Sequence, residues 1–183
     1  MVLRVNIDDE RVSGEVRTLA QRHSGRRAHA AMAAGVAVAV QEHLRKKNQE
    51  PNKLRAPKTN FYSQARDATF FEADALRGTV YIAKDGIRQR FYGGPIVPVK
   101  AKALTIPVHP AAHGRTASEF GGELRFVAIN RGNAVGLLVR GEDSAAPVLF
   151  VLVKRVEQQP DPSVLPSDAD MQAAAIEGLR ELP

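Results

Sequence analysis

Phe91-Tyr92-Gly93-Gly94-Pro95-Ile96-Val97-Pro98-Val99-Lys100-Ala101-Lys102-Ala103-Leu104-Thr105-Ile106-Pro107-Val108-His109-Pro110 sets four prolines and a Gly-Gly pair among apolar residues. Proline lacks a backbone donor and fixes φ, so this stretch reads as extended edge strands or an ordered arm, not a helix or a central strand. The aromatic pair followed by Gly93-Gly94 reads as the end of a short element, with glycine supplying a left-handed turn. No catalytic signature lies inside it. The expectation is an assembly surface, with Tyr92, Ile96, Val97, Leu104, Ile106 and Val108 as the subunit-contact residues.

Strands dominate on the C-terminal side of this stretch. Ala111 to Gly122 reads as an irregular loop, and Leu124 to Asn130 and Ala134 to Arg140 read as strands joined at Arg131-Gly132-Asn133. Pro147 to Val156 is the most apolar strand, and its unbroken run suggests a central position covered on both faces. Gln158 to Ser167 carries three prolines and reads as a linker. Ser167 with Asp170 has the spacing of a capping box, which opens a last helix to about Leu182.

Helices dominate on the N-terminal side. Val2 to Asp8 alternates as a half-buried strand, and a short helix is expected from there to about Gln21. Ala28, Met32, Val36, Ala39, Val40 and Leu44 recur at three- and four-residue spacing, which predicts the longest helix over about 26–48. Its face is rich in alanine and includes Gly35, so a neighbour can pack very close. Arg45-Lys46-Lys47 favour a helix C-terminus, and Pro51 stops the helix. Thr59 is the expected cap of a short helix holding Phe61, Tyr62 and Ala65. Thr69 to Asp74 and Thr79 to Lys84 read as strands, Asp85-Gly86 as a turn, and Ile87 to Tyr92 as a strand or a single helical turn, the helical turn being favoured.

This order is strand, helices, mainly strands, then a helix. It argues for an α+β fold, with an antiparallel sheet packed against the long N-terminal-half helix. The expected division is one domain over 1–157, including an arm at 93–122, followed by the Pro-rich linker and C-terminal helix over 158–183.

Composition closes several routes to function. There is no cysteine, which removes disulfides, thiolate catalysis and cysteine–zinc sites. Aromatics are 5% of the chain and tryptophan is absent, so burial must rest on Val, Leu, Ile and Ala. No apolar run reaches membrane-spanning length, and the acidic start is unlike a signal peptide. No phosphate loop or dinucleotide-binding glycine pattern occurs. His109 and His113 are four apart, but Pro107 and Pro110 argue against the helix that would bring them together on a metal. Asp8-Asp9, Glu142-Asp143 and Asp168/Asp170 fall at caps and turns. No enzymatic activity, cofactor or metal is expected.

Charge is uneven. Residues 1–100 hold 18 Lys/Arg and 10 Asp/Glu, whereas residues 101–183 hold 8 and 10. Arg45, Lys46, Lys47, Lys53, Arg55 and Lys58 form a basic stretch ahead of Phe61-Tyr62. It suits a ring lumen facing DNA, a charged head-to-tail interface, or (the alternative function) a DNA-binding module over 45–66.

The central stretch, from the aromatic and Gly93-Gly94 through Lys100-Ala101-Lys102 and Leu104-Thr105-Ile106-Pro107-Val108-His109-Pro110 to Gly114-Arg115, also carries a family resemblance. So do Pro51-Asn52-Lys53-Leu54 with Lys58-Thr59-Asn60-Phe61-Tyr62, and Pro160-Asp161-Pro162-Ser163-Val164-Leu165-Pro166-Ser167. Together these resemble the virion-morphogenesis proteins of Mu-like tailed phages and prophages, which are small tail-completion or head–tail joining (neck) proteins. The resemblance implies a structural virion protein acting as a tail-completion or head–tail connector ring subunit, commonly in rings of six. It also implies portal-side or tail-tube proteins as partners, non-specific contact with genome DNA, assembly in the host bacterial cytoplasm, and no membrane.

Overall fold

The computed structural model describes residues 3–6, 14, 25–51, 59–143 and 145–182. The chain divides into two compact units. One is formed by Met1–Glu50, Asn60–Tyr92 and Pro160–Pro183, and the other by Pro51–Thr59 and Gly93–Gln159. The fold is α+β as expected, and every strand pair is antiparallel. The expected boundary at residue 157 differs from this division. The C-terminal helix does not stand apart behind its linker, because Val164, Leu165, Ala175 and Leu179 belong to the core of the first unit. Nor do the strands form one sheet on the long helix.

In the first unit, helix α1 (Arg26–Gln49) buries Ala28, Met32, Ala33, Val36, Ala37, Val40 and Leu44. These positions recur at the spacing that defines one helical face. The expected span of 26–48 is therefore correct to one residue. Strands β1 (Leu3–Asn6), β2 (Thr69–Ala73) and β3 (Gly78–Ile82) form a sheet in the order β1-β3-β2. Val80 and Ile82 are fully buried, whereas Tyr81, on the opposite face, is half-exposed. Helix α2 (Phe61–Asp67), helix α3 (Ile87–Tyr92) and, further along, helix α4 (Asp168–Arg180) complete the unit. The short helix expected up to Gln21 lies outside the described residues.

Small residues set the approach of α4 to α1. A Cβ at Gly35 would collide with the Ala174 carbonyl oxygen, and one at Gly178 would collide with the Ala31 carbonyl oxygen. Backbones this close leave no room for a side chain at either glycine. The capping expected of Ser167 is present, since its hydroxyl accepts from the Asp170 N–H at 3.2 Å and donates to the Asp170 carboxylate at 2.6 Å. The expected Thr59 cap is not. The residue at the start of α2 is Asn60, in the left-handed region at φ 52°, with no capping bond from its own side chain. Instead the Ser63 N–H donates to Oδ1 of Asn48, at the end of α1, at 3.2 Å. A first-turn amide of one helix is thus satisfied by another helix.

The second unit holds β5 (Leu104–Pro107), β6 (Leu124–Arg131), β7 (Ala134–Arg140) and β8 (Val148–Val153) in the order β5-β8-β7-β6. A short pair, β4 (Gly94–Ile96) with β9 (Val156–Gln158), joins the segments where the chain enters and leaves this unit. Strand β8 is internal, as expected, but it is covered less than its sequence suggests. Leu149 and Phe150 are buried, while Val148, Val151, Leu152 and Val153 are half-exposed. The segment expected as a loop instead forms short 3-10 turns at Pro110–Ala112 and Ala117–Glu123. From them Ala112 and Phe120 pack with Leu149 and Phe150. The Phe120 and Phe150 rings meet edge to face at 5.7 Å, and the Arg115 guanidinium stacks over Phe120 at 3.9 Å.

Candidate functional site

The Pro-rich stretch carries three of the second unit's exposed large hydrophobics, Val97, Val99 and Val108. Registered pairs on neighbouring strands share a face. One row therefore runs Pro107, Phe150, Leu138, Phe126, and the opposite row runs Ile106, Val151, Leu137, Val127. The first row contains the buried Phe150. Every member of the second is only half-buried.

Strand β5 is an edge, as expected for a Pro-containing strand. The Val108 N–H donates to the Leu149 carbonyl at 2.9 Å. Antiparallel ladders alternate inward and outward groups, so Thr105 and Pro107 present theirs away from β8. The missing donor of Pro107 thus falls where no strand among the described residues needs it. An added strand would find one N–H there, on Thr105. Side chains, not a long backbone ladder, must supply most of any contact.

Residues 97–103 link β4 to β5 without regular structure. Val97 is 54% exposed and Val99 is 93% exposed. Val108, just past β5, is exposed as well. Leu104 and Ile106 sit half-buried in β5, and Ile96 in β4 pairs with Val156. Tyr92 belongs to the first unit, where it is exposed, meets Phe91 edge to face at 4.8 Å and lies under Arg88 at 5.7 Å. The six expected contact residues are therefore shared between units, and the second unit holds five of them. The most exposed large hydrophobic residue of the stretch, Val99, was not among them. Its signal was present in the sequence: a valine between Pro98 and Lys100, with no partner strand to bury it.

The basic stretch is more occupied than its sequence suggests. Arg45 makes a two-pronged contact with the Glu42 carboxylate at 2.7 and 2.8 Å. The Arg45 hydrogen bond holds the Glu42 carboxyl below its ordinary value, and Glu42 in turn raises Arg45. Lys47 donates to Ser163 Oγ at 2.7 Å and faces Glu50 at 3.3 Å, and Arg66 pairs with Asp67 at 2.6 Å. Lys46 is exposed. Lys53, Arg55 and Lys58 lie outside the described residues. Phe61 and Tyr62 do not stand out as an open stacking platform. They pack at the margin of the first unit's core, with Arg90 over Phe61 at 4.2 Å and over Tyr62 at 5.5 Å.

Among the described residues, no three His, Asp or Glu side chains gather to hold a metal ion. The His109 Nδ1 accepts from the Ala111 N–H at 3.2 Å and so caps the 3-10 turn. The Glu119 carboxylate receives the Thr116 N–H and hydroxyl, both at 2.9 Å. Those bonds hold it below the ordinary carboxylate value, the backbone bond contributing most. The Asp74 carboxyl is lowered chiefly by the N–H groups of Leu76 and Arg77. Both are turn-forming carboxylates. No helix of the described residues is long and apolar enough to cross a membrane.

No family model, curated protein or solved structure matches this chain.

Proposed function

We propose that this chain is a structural virion protein of the head–tail joint of a tailed phage, acting as a tail-completion or head–tail connector ring subunit. The observation that carries this reading is the edge of the second unit: exposed Val97, Val99 and Val108 flank a donor-poor edge strand whose face is only half-buried. A stiff apolar border of this kind gains by covering itself with another protein, and its prolines limit the conformational freedom lost on docking. The subunit is a non-enzymatic homo-oligomer, and the other neck, portal-side or tail-tube proteins are its further partners. A DNA-binding module over 45–66 draws less support, because Arg45, Lys47 and Arg66 already face carboxylates.

Electron microscopy of phage particles assembled without this chain tests the proposal. The expected result is separate filled heads and tails of irregular or frayed ends. Intact, infectious particles would overturn it.

A further inference from the structure

Charge along the chain points to how one copy meets the next. From Gly86 to Ser118 there is no Asp or Glu, while Arg88, Arg90, Lys100, Lys102 and Arg115 are present. From Glu157 to Leu182 the balance reverses: Asp161, Asp168, Asp170, Glu177 and Glu181 follow Glu157, and Arg180 is the single cation. On α4 the carboxylates Asp168, Asp170 and Glu177 are exposed, as is Glu181 just past its end; Asp170 also accepts from Ser167, and Glu177 pairs with Arg180 at 3.3 Å. Ala169 and Ala173 are exposed too, and with Glu177 they follow at four-residue spacing along the side away from the buried Ala175 and Leu179. That side is a shallow track of methyl groups bordered by acid. Lys100 and Lys102 are exposed beside Val97 and Val99, which makes the strap its counterpart in both shape and sign.

We propose that the strap 97–102 of one copy docks on the outer face of α4 of a second copy of this chain. The inference rests on the ring reading and gives it a contact. Every copy carries both patches, and the patches differ, so the contact is heterologous and repeats from copy to copy until it closes. Val99 seats against Ala169 and Ala173, and Lys100 and Lys102 face the carboxylates. Exposed ion pairs add little affinity. Their role is to orient the strap and to reject the wrong register, while burial of the two valines supplies the attraction.

Disulfide trapping tests this, because the chain has no cysteine of its own. Val99→Cys and Ala173→Cys are placed in separate molecules, mixed and gently oxidised. The expected product is a linked pair containing one of each, formed in preference to either like pair. Its yield falls as salt rises, and falls about tenfold when Lys100→Glu and Lys102→Glu are added to the strap-bearing chain. Like pairs forming as readily as the mixed pair would overturn the proposal. So would a chain carrying both cysteines that closes on itself as a monomer. If trapping fails while the unaltered chain still self-associates by light scattering, the docking falls and the ring reading stands. If it fails and the chain stays monomeric at every concentration, both fall.

Discussion

The two units bury apolar surface to very different extents. Among the described residues, fifteen buried side chains form the core cluster of the first unit, running from Ala28 on α1 through Val80 and Ile82 to Leu179 on α4. The second unit has four: Ala112, Phe120, Leu149 and Phe150. A small sheet with so few buried side chains has little to set against the entropy of ordering it. The second unit leaves Val97, Val99, Val108 and Phe126 exposed and the first leaves Val38, Phe70, Phe71, Leu76 and Tyr92 exposed, so the units differ in the size of the core and not in exposed apolar side chains. The first unit has the means to hold itself together, whereas the second has a much thinner core to do so with.

The sharpest way to break this comparison is at Phe150, which meets Phe120 edge to face in the small core. Phe150→Ala should cost about 4 kcal/mol, most of what a domain of this size has. The expected outcome is a reduced β-sheet signal and loss of amide protection over 104–153, with the helical circular dichroism of the first unit retained. If the helical signal falls with it, the units do not differ in autonomy as described.

In the first unit the corresponding weak point is the helix crossing. Gly35→Leu forces a side chain into the Ala174 backbone and should cost about 3 kcal/mol. Denaturant unfolding followed at 222 nm should show the shift. Gly132→Ala in the β6–β7 turn, where φ is 60° but nothing lies near, should cost less, about 1 kcal/mol.

Asn133 offers a finer test of the second unit. Its side-chain amide donates to the Arg155 carbonyl, and its Oδ1 accepts the Arg155 N–H at 3.1 Å. These bonds hold the bend between β8 and β9. Asn133→Ala should destabilise the unit by about 1–2 kcal/mol and speed amide exchange in β4 and β9 before it affects β7.

The smallest expected effect is on pH dependence. The Glu119 carboxyl is lowered in the folded chain, so its contribution is complete above its ordinary value of 4.5 and is lost as pH falls through the folded value. The thermal midpoint of the second unit should therefore drop more for the unaltered chain than for Glu119→Gln between pH 6 and pH 3. Parallel curves would remove Glu119 from the balance.

Much of the fold was legible wherever one local rule decided the outcome. The spacing of Met32, Val36, Val40 and Leu44 marked α1, Pro51 its end, Asp85-Gly86 a turn, and Ser167 with Asp170 the start of α4. The split into two units was not legible. Strands on either side of Gly93 look alike in sequence, and which ones pair is a long-range matter that alternation does not encode. The cap of α2 was misread for the same reason, because its acceptor comes from Asn48 on another helix. The turns at 110–123 could have been found: Thr116 and Glu119 have capping-box spacing. At the candidate surface, the prolines announced an edge strand and β5 is one. The pairing of Arg45, Lys47 and Arg66 with carboxylates depends on side-chain geometry, which composition does not carry.

The most direct test of the central claim is amide hydrogen exchange across residues 97–108, followed as the chain is concentrated and its mass is read by light scattering. Mass should rise, and the outward Thr105 amide and the strap amides should slow with it while the core amides of α1 stay unchanged. Rising mass with Thr105 and the strap exchanging as fast as in the dilute monomer would contradict it.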